Sequence, residues 1–262
     1  MKFYPKTTTN RVDELDFLRG IAIVCMVIYH WFSLLDLRIK SNYTSNPLII
    51  ILGYIARVLF ILLVGSGTVL SQQKSKLRED NGQEDEKEYL RRQFTRVGFL
   101  VMYALLLTLV TMYVYPDVFI RFGILHYMAV ALSLLTLFAY KPQTIPKFVP
   151  LIVGIGMFFI YLLSINKVSS NPIKQFIVGY RPDYPTMDYF PLFKWFWLSA
   201  LGLFVGQSLF VKGSPNYKPL NLEKNGLSNA IIILGKYSLE IYLLHFIVIY
   251  AIQSVLFKKK LY

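Results

Sequence analysis

The sequence offers little from which a disulfide framework or a metal centre is built. Its 262 residues include one cysteine, Cys25, and three histidines. A single cysteine excludes disulfides within the chain and clusters of metal-bound thiolates. No histidine is followed four residues later by a carboxylate or a second histidine, and neither H-x-x-x-H nor H-E-x-x-H occurs. We therefore expect no metal cofactor.

Acidic residues are also few. The chain has 15 aspartates and glutamates against 28 lysines and arginines, a formal net charge of +13. In a soluble protein that excess would suggest a nucleic-acid partner. Here, however, 55% of the residues are hydrophobic, the mean hydropathy is +0.47, and apolar runs reach about 20 residues, the length that crosses a bilayer. The sequence therefore predicts an integral membrane protein whose partner is the lipid bilayer and not nucleic acid.

The apolar runs predict an all-α bundle of about seven transmembrane helices in a single domain, residues 1–262. An apolar stretch from Ala230 is interrupted at Gly235-Lys236, which we interpret as a short interfacial turn before the last helix. Residues 71–90 are rich in charge and are expected to form a solvated cytoplasmic loop. The predicted spans are Asp16–Leu35, Pro47–Leu70, Val97–Tyr115, Phe122–Tyr140, Phe148–Ile165, Pro191–Val211 and Leu234–Phe257.

The distribution of basic residues predicts the orientation. With the N-terminus in the cytoplasm, the inner segments hold 16 lysines and arginines and the outer segments 10, which is the bias of cytoplasmic loops. Lys258 to Lys260 would lie outside and oppose this orientation. We expect a multi-pass protein of the plasma membrane with a cytoplasmic N-terminus. Asp13, Glu14 and Asp16 interrupt the basic start, so the first span is expected to be retained rather than cleaved as a signal peptide.

The first span carries polar residues within an apolar helix. Arg19 and His30 are eleven residues apart, which returns to within roughly 20° of the same helix face and separates them by roughly 16 Å along the axis. Asp16 lies one turn before Arg19, where the two side chains can pair. An arginine and a histidine facing lipid would each cost several kcal/mol, so we expect this face to line a protein interior or a wet cavity.

The three histidines, His30, His126 and His245, all fall inside predicted spans. A polar ring in a membrane span needs a partner, so each has either a functional role or a hydrogen bond to a neighbouring helix. In the last span Ser238 shares a face with His245. Arg57 lies about ten residues into the second span, too deep to reach the surface easily, which favours a salt bridge or a binding site.

The other candidate residues lie near the ends of the spans. Arg19, Arg92 and Arg96 are expected near the inner surface, where guanidinium groups bind phosphate; the alternative for Arg92 and Arg96 is an anchor at anionic lipid. On the outer side, Arg121 and Asp188 precede the fourth and sixth spans. Asp188 could orient a polar acceptor or pair with Arg121, or it could cap a helix.

Four short motifs follow one another along the chain. They are Leu15-Asp16-Phe-Leu-Arg19-Gly20 through His30, Phe122-Gly123-Ile-Leu-His126, Asp188-Tyr-Phe-Pro191-Leu-Phe-Lys-Trp195 with Gly202 following, and Tyr237-Ser-Leu-Glu-Ile-Tyr-Leu-Leu-His245. These motifs resemble those of the prokaryotic relatives of the heparan-alpha-glucosaminide N-acetyltransferase catalytic domain, in the transmembrane acyltransferase superfamily. The spacing of Arg19 and His30 also resembles the first-span motif of the type-3 acyltransferases of that superfamily.

The resemblance implies transfer of an acetyl group from cytoplasmic acetyl-CoA, the co-substrate, to a sugar, glycan or glycolipid acceptor across the membrane. His30 matches the catalytic histidine of the type-3 group and would act as general base. The lysosomal enzyme of the family that the motifs resemble has asparagine at the position of His30, and its essential histidine lies in the following loop. This chain has no histidine between Trp31 and Pro47. Arg19, Arg92 and Arg96 would bind coenzyme A, although Arg92 and Arg96 are four apart rather than in the R-x-x-R spacing of the type-3 enzymes. The other candidate residues would bind the substrates or support the site; they are Asp16, Arg57, Arg121, His126, Asp188, Ser238 and His245.

Two other classes of function remain open on the sequence. A proton-coupled transporter or flippase could use His30, Arg57 and His245 as a relay, but no internal repeat of the kind seen in many transporters is present. A non-catalytic assembly subunit is the third interpretation. The sequence leaves open the acceptor, the acyl length, nitrogen or oxygen as the acceptor atom, a direct transfer or an acetyl-histidine intermediate, and the oligomeric state, a homo-oligomer included.

Overall fold

The computed structural model describes residues 11–140, 144–220, 222 and 225–257. The terminal lysines Lys258 to Lys260 lie outside these residues. The helices are α1 (Asp13–Ile39), α2 (Pro47–Asp80), α3 (Glu86–Val114), α4 (Ile124–Tyr140), α5 (Val149–Ser164), α6 (Leu192–Leu209), α7 (Gly226–Lys236) and α8 (Ser238–Leu256). Short helical turns occupy Tyr43–Ser45 and Lys174–Val178. A two-residue antiparallel hairpin pairs β1 (Phe210–Val211) with β2 (Ser214–Pro215).

The all-α membrane class is confirmed. Five helices in the described part of the chain are long and apolar enough to cross a membrane, namely Asp13–Ile39, Pro47–Asp80, Lys87–Val114, Leu192–Leu209 and Ser238–Leu256. The fourth and fifth predicted spans form shorter helices, α4 with 17 residues and α5 with 16. Seven crossings therefore remain a prediction.

The charged stretch 71–90 differs from the expected loop because most of it is helical. α2 continues to Asp80 and α3 begins at Glu86, so only residues 81–85 connect them. Paired charges make this possible: Lys76 lies 3.1 Å from Glu79 and 3.2 Å from Asp80 on the same helix. Glu84 forms ion pairs with Arg78 and Arg92. Burial opposes the charge on Glu84, but Arg92 and then Arg78 outweigh it and lower the pKa of the carboxyl.

The end of the chain also departs from the expectation. Gly235 and Lys236 belong to the 11-residue helix α7, and the break before α8 comes at Tyr237. Asn225 caps α7 by accepting the backbone N–H of Leu227 at 3.0 Å. Glycine is a poor helix former in isolation, but the close approach of another helix at Gly235 gives it a packing role.

The chain divides into two compact units. The first contains the described residues up to Arg57 together with those from Lys218 onward, and the second is Val58–Tyr217. α2 contributes to both, because its residues through Arg57 belong to the first unit and those from Val58 to the second. That the chain acts as a single domain stays a prediction.

In the first unit, α1 and α7 cross with their backbones almost in contact. A Cβ added at Gly20 would lie 2.0 Å from the carbonyl oxygen of Ile231, and one at Gly235 would lie 1.7 Å from that of Asp16. Glycine at both positions therefore allows an approach that any side chain would prevent. Asp13 and Lys236 form an ion pair of 3.6 Å at the same crossing. Farther along α1, the Gln253 amide of α8 donates to the carbonyl of Trp31 at 2.8 Å.

In the second unit, small residues play the same role between α2 and α6. A Cβ added at Gly65 or Gly202 would lie 2.0 Å from the carbonyl oxygens of Ser199 and Leu62, respectively. The Ser66 hydroxyl donates to the carbonyl of Gly202 at 2.9 Å. These contacts satisfy backbone carbonyls and hydroxyls inside the unit, where lipid would offer them no partner.

The contact between α1 and α7 predicts the effect of a methyl group at Gly235. We expect Gly235→Ala to lower the melting temperature of the protein in detergent, with a loss of about 1–3 kcal/mol from overpacking against the backbone of Asp16. Gly226→Ala, on the same helix, is the control, because a Cβ there meets nothing within 4 Å. Equal melting temperatures for both variants would contradict the close crossing.

Candidate active site

The His30 side chain is half-buried on α1 and contacts the last helix. Its Nδ1 lies 2.9 Å from Nε2 of His245 on α8 and 2.9 Å from Sδ of Met26. Met26 precedes His30 by four residues, so the two side chains share a face of α1. The centroids of the two imidazole rings are 4.9 Å apart and the ring planes are inclined by 22°, so the rings meet edge to edge through this N–H···N contact. The structure thus brings together two of the three histidines that the sequence singled out.

His245 is buried, with 5% of its surface exposed. Its Nδ1 donates to the backbone carbonyl of Tyr242, one turn earlier on α8, at 2.5 Å. Phe246 packs against both imidazoles, with ring centroids 4.5 Å from His245 and 5.0 Å from His30. The histidine pair therefore has an apolar wall on one side and a hydrogen bond to the backbone at its far end.

Arg57 provides a positive charge near His30. Its Nε donates to the carbonyl of Gly53 at 2.8 Å, one turn earlier on α2, and its charge interacts electrostatically with His30. The guanidinium lies over the rings of Tyr54, at 4.6 Å, and Tyr29, at 5.7 Å. In the described part of the first unit, Arg57 takes no part in the ion pairs, which join Asp16 to Arg11 and Arg19, and Asp13 to Lys236.

Asp16 and Arg19 pair as the sequence predicts. Oδ1 of Asp16 accepts Nη1 of Arg19 at 2.6 Å, while its Oδ2 lies 3.6 Å from Nη1 of Arg11. The Asp16 carboxylate is buried, at 1% exposure, whereas 32% of the Arg19 side chain remains exposed. A guanidinium has five N–H donors, so Arg19 retains donors beyond this pair. α1 is continuous from Arg19 to His30.

Ser238 begins α8 but joins neither histidine by a hydrogen bond among the described residues. It lies seven residues before His245 on the same helix, about two turns away. The structure therefore places Ser238 away from the histidine pair, and the residue that accepts from His245 is Tyr242.

In the second unit, Arg92 is held by a carboxylate. It forms an ion pair with Glu84, lies 4.0 Å from Glu88, and its Nη2 donates to the Ser75 hydroxyl at 2.8 Å. Arg96 is exposed and its Nη1 donates to the Ser71 hydroxyl at 3.1 Å. Arg92 therefore shares the Glu84 carboxylate with Arg78.

Asp188 caps a helix, but not the one that it precedes in the sequence. Its Oδ2 accepts the backbone N–H of Ile124 at 3.0 Å, the first residue of α4. A Cβ at Gly123 would lie 2.6 Å from this oxygen, so the glycine makes room for the carboxylate. The backbone N–H of Phe190 also donates to the carbonyl of Phe122 at 3.0 Å. The second and third sequence motifs are therefore neighbours in space.

Arg121 and His126 lie beside this cap. The guanidinium of Arg121 lies 3.5 Å from the centre of the Tyr184 ring and 4.6 Å from that of Phe119. His126 accepts the backbone N–H of Gly123 at its Nδ1, at 3.3 Å, and its Nε2 lies 3.5 Å from the Thr108 hydroxyl. These contacts bind the start of α4 to its surroundings.

Sequence reasoning missed two partners. Met26 contacts His30, and its position four residues earlier on the same helix was a readable signal. Glu84 joins Arg78 to Arg92 across the connection between α2 and α3, and nothing local in the sequence pairs it with either.

The cap at α4 predicts different results for two substitutions. Asp188→Ala removes the acceptor of the Ile124 N–H, and we expect a loss of about 0.5–2 kcal/mol of stability, measured by thermal unfolding in detergent. Asp188→Asn keeps an acceptor oxygen and should retain most of the stability. Asp117→Ala, at an exposed position, controls for loss of a carboxylate. If Asp188→Ala were as stable as the control, the capping role would be refuted.

The comparisons with known proteins agree with the motifs. The family described as heparan-alpha-glucosaminide N-acetyltransferase, catalytic, matches residues 11–247, a range that includes every candidate residue from Asp16 to His245. Neither the curated proteins nor the solved structures gave a match. The family recognised from the motifs is thus confirmed, and it implies a membrane acetyltransferase-type function. The chain belongs to the family of heparan-alpha-glucosaminide N-acetyltransferase catalytic domains.

Proposed function

We propose that the protein transfers an acetyl group from acetyl-CoA to a sugar, glycan or glycolipid acceptor, with His30 as the general base. The observation that carries this proposal is the position of His30. It lies within an apolar helix, bonded to His245 and within the field of Arg57. A histidine so placed in a membrane span is a candidate for function. The family match supports the acetyl group and the class of acceptor.

The reaction asks little of the protein beyond positioning and one proton transfer. A thioester is already activated, so a hydroxyl or amine of the acceptor can attack its carbonyl carbon once the two are held together. His30 accepts the proton of the attacking group. The carbon–sulfur bond then breaks, and the proton passes from His30 to the coenzyme A sulfur. Histidine suits both steps because its imidazole exchanges protons near neutral pH.

Arg57 is proposed to stabilise the negative charge that develops on the thioester oxygen. A guanidinium without an acidic partner among the described residues of its unit is available to such a charge. In an apolar setting its interaction with an oxyanion is far stronger than in water. Its place over Tyr54 and Tyr29 holds the guanidinium by cation–π contacts.

Arg19 is proposed to bind a coenzyme A phosphate at the cytoplasmic end of α1. Its exposed fraction and remaining donors support this role. The axial distance of roughly 16 Å to His30 suits an extended pantetheine arm. This arrangement requires the N-terminus to face the cytoplasm, and we propose the plasma membrane as the location. Arg96, with Arg92, is proposed as a separate anion-binding position in the second unit.

Binding and slow hydrolysis of acetyl-CoA in lipid discs test the donor and the base together. We expect the wild type to bind. Arg19→Ala should bind about tenfold more weakly, since one hydrogen bond between charged groups contributes about 1.5 kcal/mol or more. His30→Ala should bind but lose about 10²–10⁴-fold in turnover. Arg38→Ala, at the opposite end of α1, is the control and should bind normally.

Two results would overturn this assignment. A wild-type protein without affinity for any acyl-CoA would contradict the proposed donor. Movement of a solute across the disc or vesicle membrane without coenzyme A would favour the transporter instead.

Kinetics of Arg57 variants separate its proposed role from simple binding. Arg57→Gln should lower kcat by roughly 10²–10³-fold, the effect of losing one oxyanion donor, and leave the KM for acetyl-CoA nearly unchanged. Arg57→Lys keeps the charge and should recover part of kcat. A rise in KM with an unchanged kcat would show that Arg57 binds the ground state and transition state equally.

A further inference from the structure

Both neighbours of His30 Nδ1 are hydrogen-bond acceptors. The thioether sulfur of Met26, 2.9 Å away, can accept a hydrogen bond but has no proton to donate. The Nε2 of His245, also 2.9 Å away, is the second neighbour. The contact with the thioether therefore favours a proton on Nδ1 of His30. Whether the contact with His245 favours the same proton depends on which ring nitrogen of His245 is protonated.

The state of His245 follows from its other nitrogen. Nδ1 of His245 lies 2.5 Å from the carbonyl oxygen of Tyr242. A carbonyl only accepts, so Nδ1 of His245 carries a proton. A neutral imidazole has one N–H, and therefore Nε2 of His245 presents a lone pair to His30. The chain of bonds runs in one direction, from His30 Nδ1–H to His245 Nε2 and from His245 Nδ1–H to the Tyr242 carbonyl.

From these contacts we infer that His245 is a positioning residue that holds His30 in the tautomer with the proton on Nδ1. Nε2 of His30 is then the nitrogen that takes the proton of the attacking hydroxyl or amine. The catalytic part of the inference rests on the proposed function, whereas the tautomer does not. The carbonyl of Tyr242 orients His245 in turn, and Phe246 packs against both rings.

This arrangement performs the task of the third group in a nucleophile–histidine–carboxylate triad. That group fixes the tautomer and direction of the histidine, and its loss costs roughly 10⁴-fold in turnover where the wrong tautomer results. A carboxylate would bring a full charge into the span, which is costly. A neutral imidazole anchored to the backbone sets the tautomer without that charge.

The tautomer can be measured directly, because a chain with three histidines gives few ring-nitrogen signals to assign. Nitrogen-15 NMR of histidine-labelled protein in lipid discs distinguishes protonated from unprotonated ring nitrogens. His30→Gln, His126→Gln and His245→Gln each remove one pair of signals and so assign the spectrum. At a pH where the rings are neutral, we expect a proton on Nδ1 of both His30 and His245.

Two variants of His245 test its effect on His30. His245→Leu removes the acceptor, and we expect signal for a proton on Nε2 of His30, together with at least a 10²-fold loss of kcat at an unchanged KM for acetyl-CoA. His245→Gln offers a side-chain oxygen as acceptor and should restore the Nδ1 proton and kcat to within about tenfold of wild type. Leu244→Ala, the exposed neighbour on α8, should change neither quantity.

The outcomes separate the inference from the proposed function. A proton on Nε2 of His30 in the wild type would overturn the inference. So would a His245→Leu protein with unchanged tautomer and kcat. A third outcome would divide the two proposals. If the Nδ1 proton of His30 is present in the wild type and lost in His245→Leu, the positioning of His30 is supported. If the same wild type does not use acyl-CoA, the acetyltransferase proposal is overturned.

Discussion

Hydrocarbon offers no hydrogen bonds, so a polar side chain within a membrane span must find its partner inside the protein. Polar side chains of α1 and α8 follow this constraint. His30 bonds to His245, Asp16 to Arg19, and Gln253 to the backbone of Trp31. Even Arg57, without an acidic partner in the described residues of this unit, has a backbone carbonyl and two aromatic rings around it.

Glycine determines where these polar groups meet. The backbones of α1 and α7 approach at Gly20 and Gly235, and this crossing lies beside Asp16 and Arg19. Another glycine, Gly53, leaves room for the ring of Tyr29, because a Cβ there would lie 2.7 Å from it. Arg57 then lies over that ring. The packing of small residues and the placement of charged ones are thus two aspects of one arrangement, since close backbones bring short polar contacts within reach.

Local features of the sequence account for much of the fold and part of the site. The pairing of Asp16 with Arg19 was predictable because it depends on one turn of one helix, and the structure has it. The expected loop at 71–90 was different: most of it is helical, and Glu84 joins Arg78 of α2 to Arg92 of α3 across the short connection between the two helices. The sequence did not show which helix Asp188 caps. It precedes α6 in the chain, but its carboxylate caps α4, 64 residues away.

The sequence by itself determined the all-α membrane class and the family, because runs of apolar residues and short motifs are properties of adjacent positions. It also placed a histidine, His30, within the first span. Only the tertiary structure decided what that histidine contacts. Its partner His245 lies 215 residues away in the chain, and which faces of α1 and α8 meet depends on the packing of whole helices rather than on any local pattern.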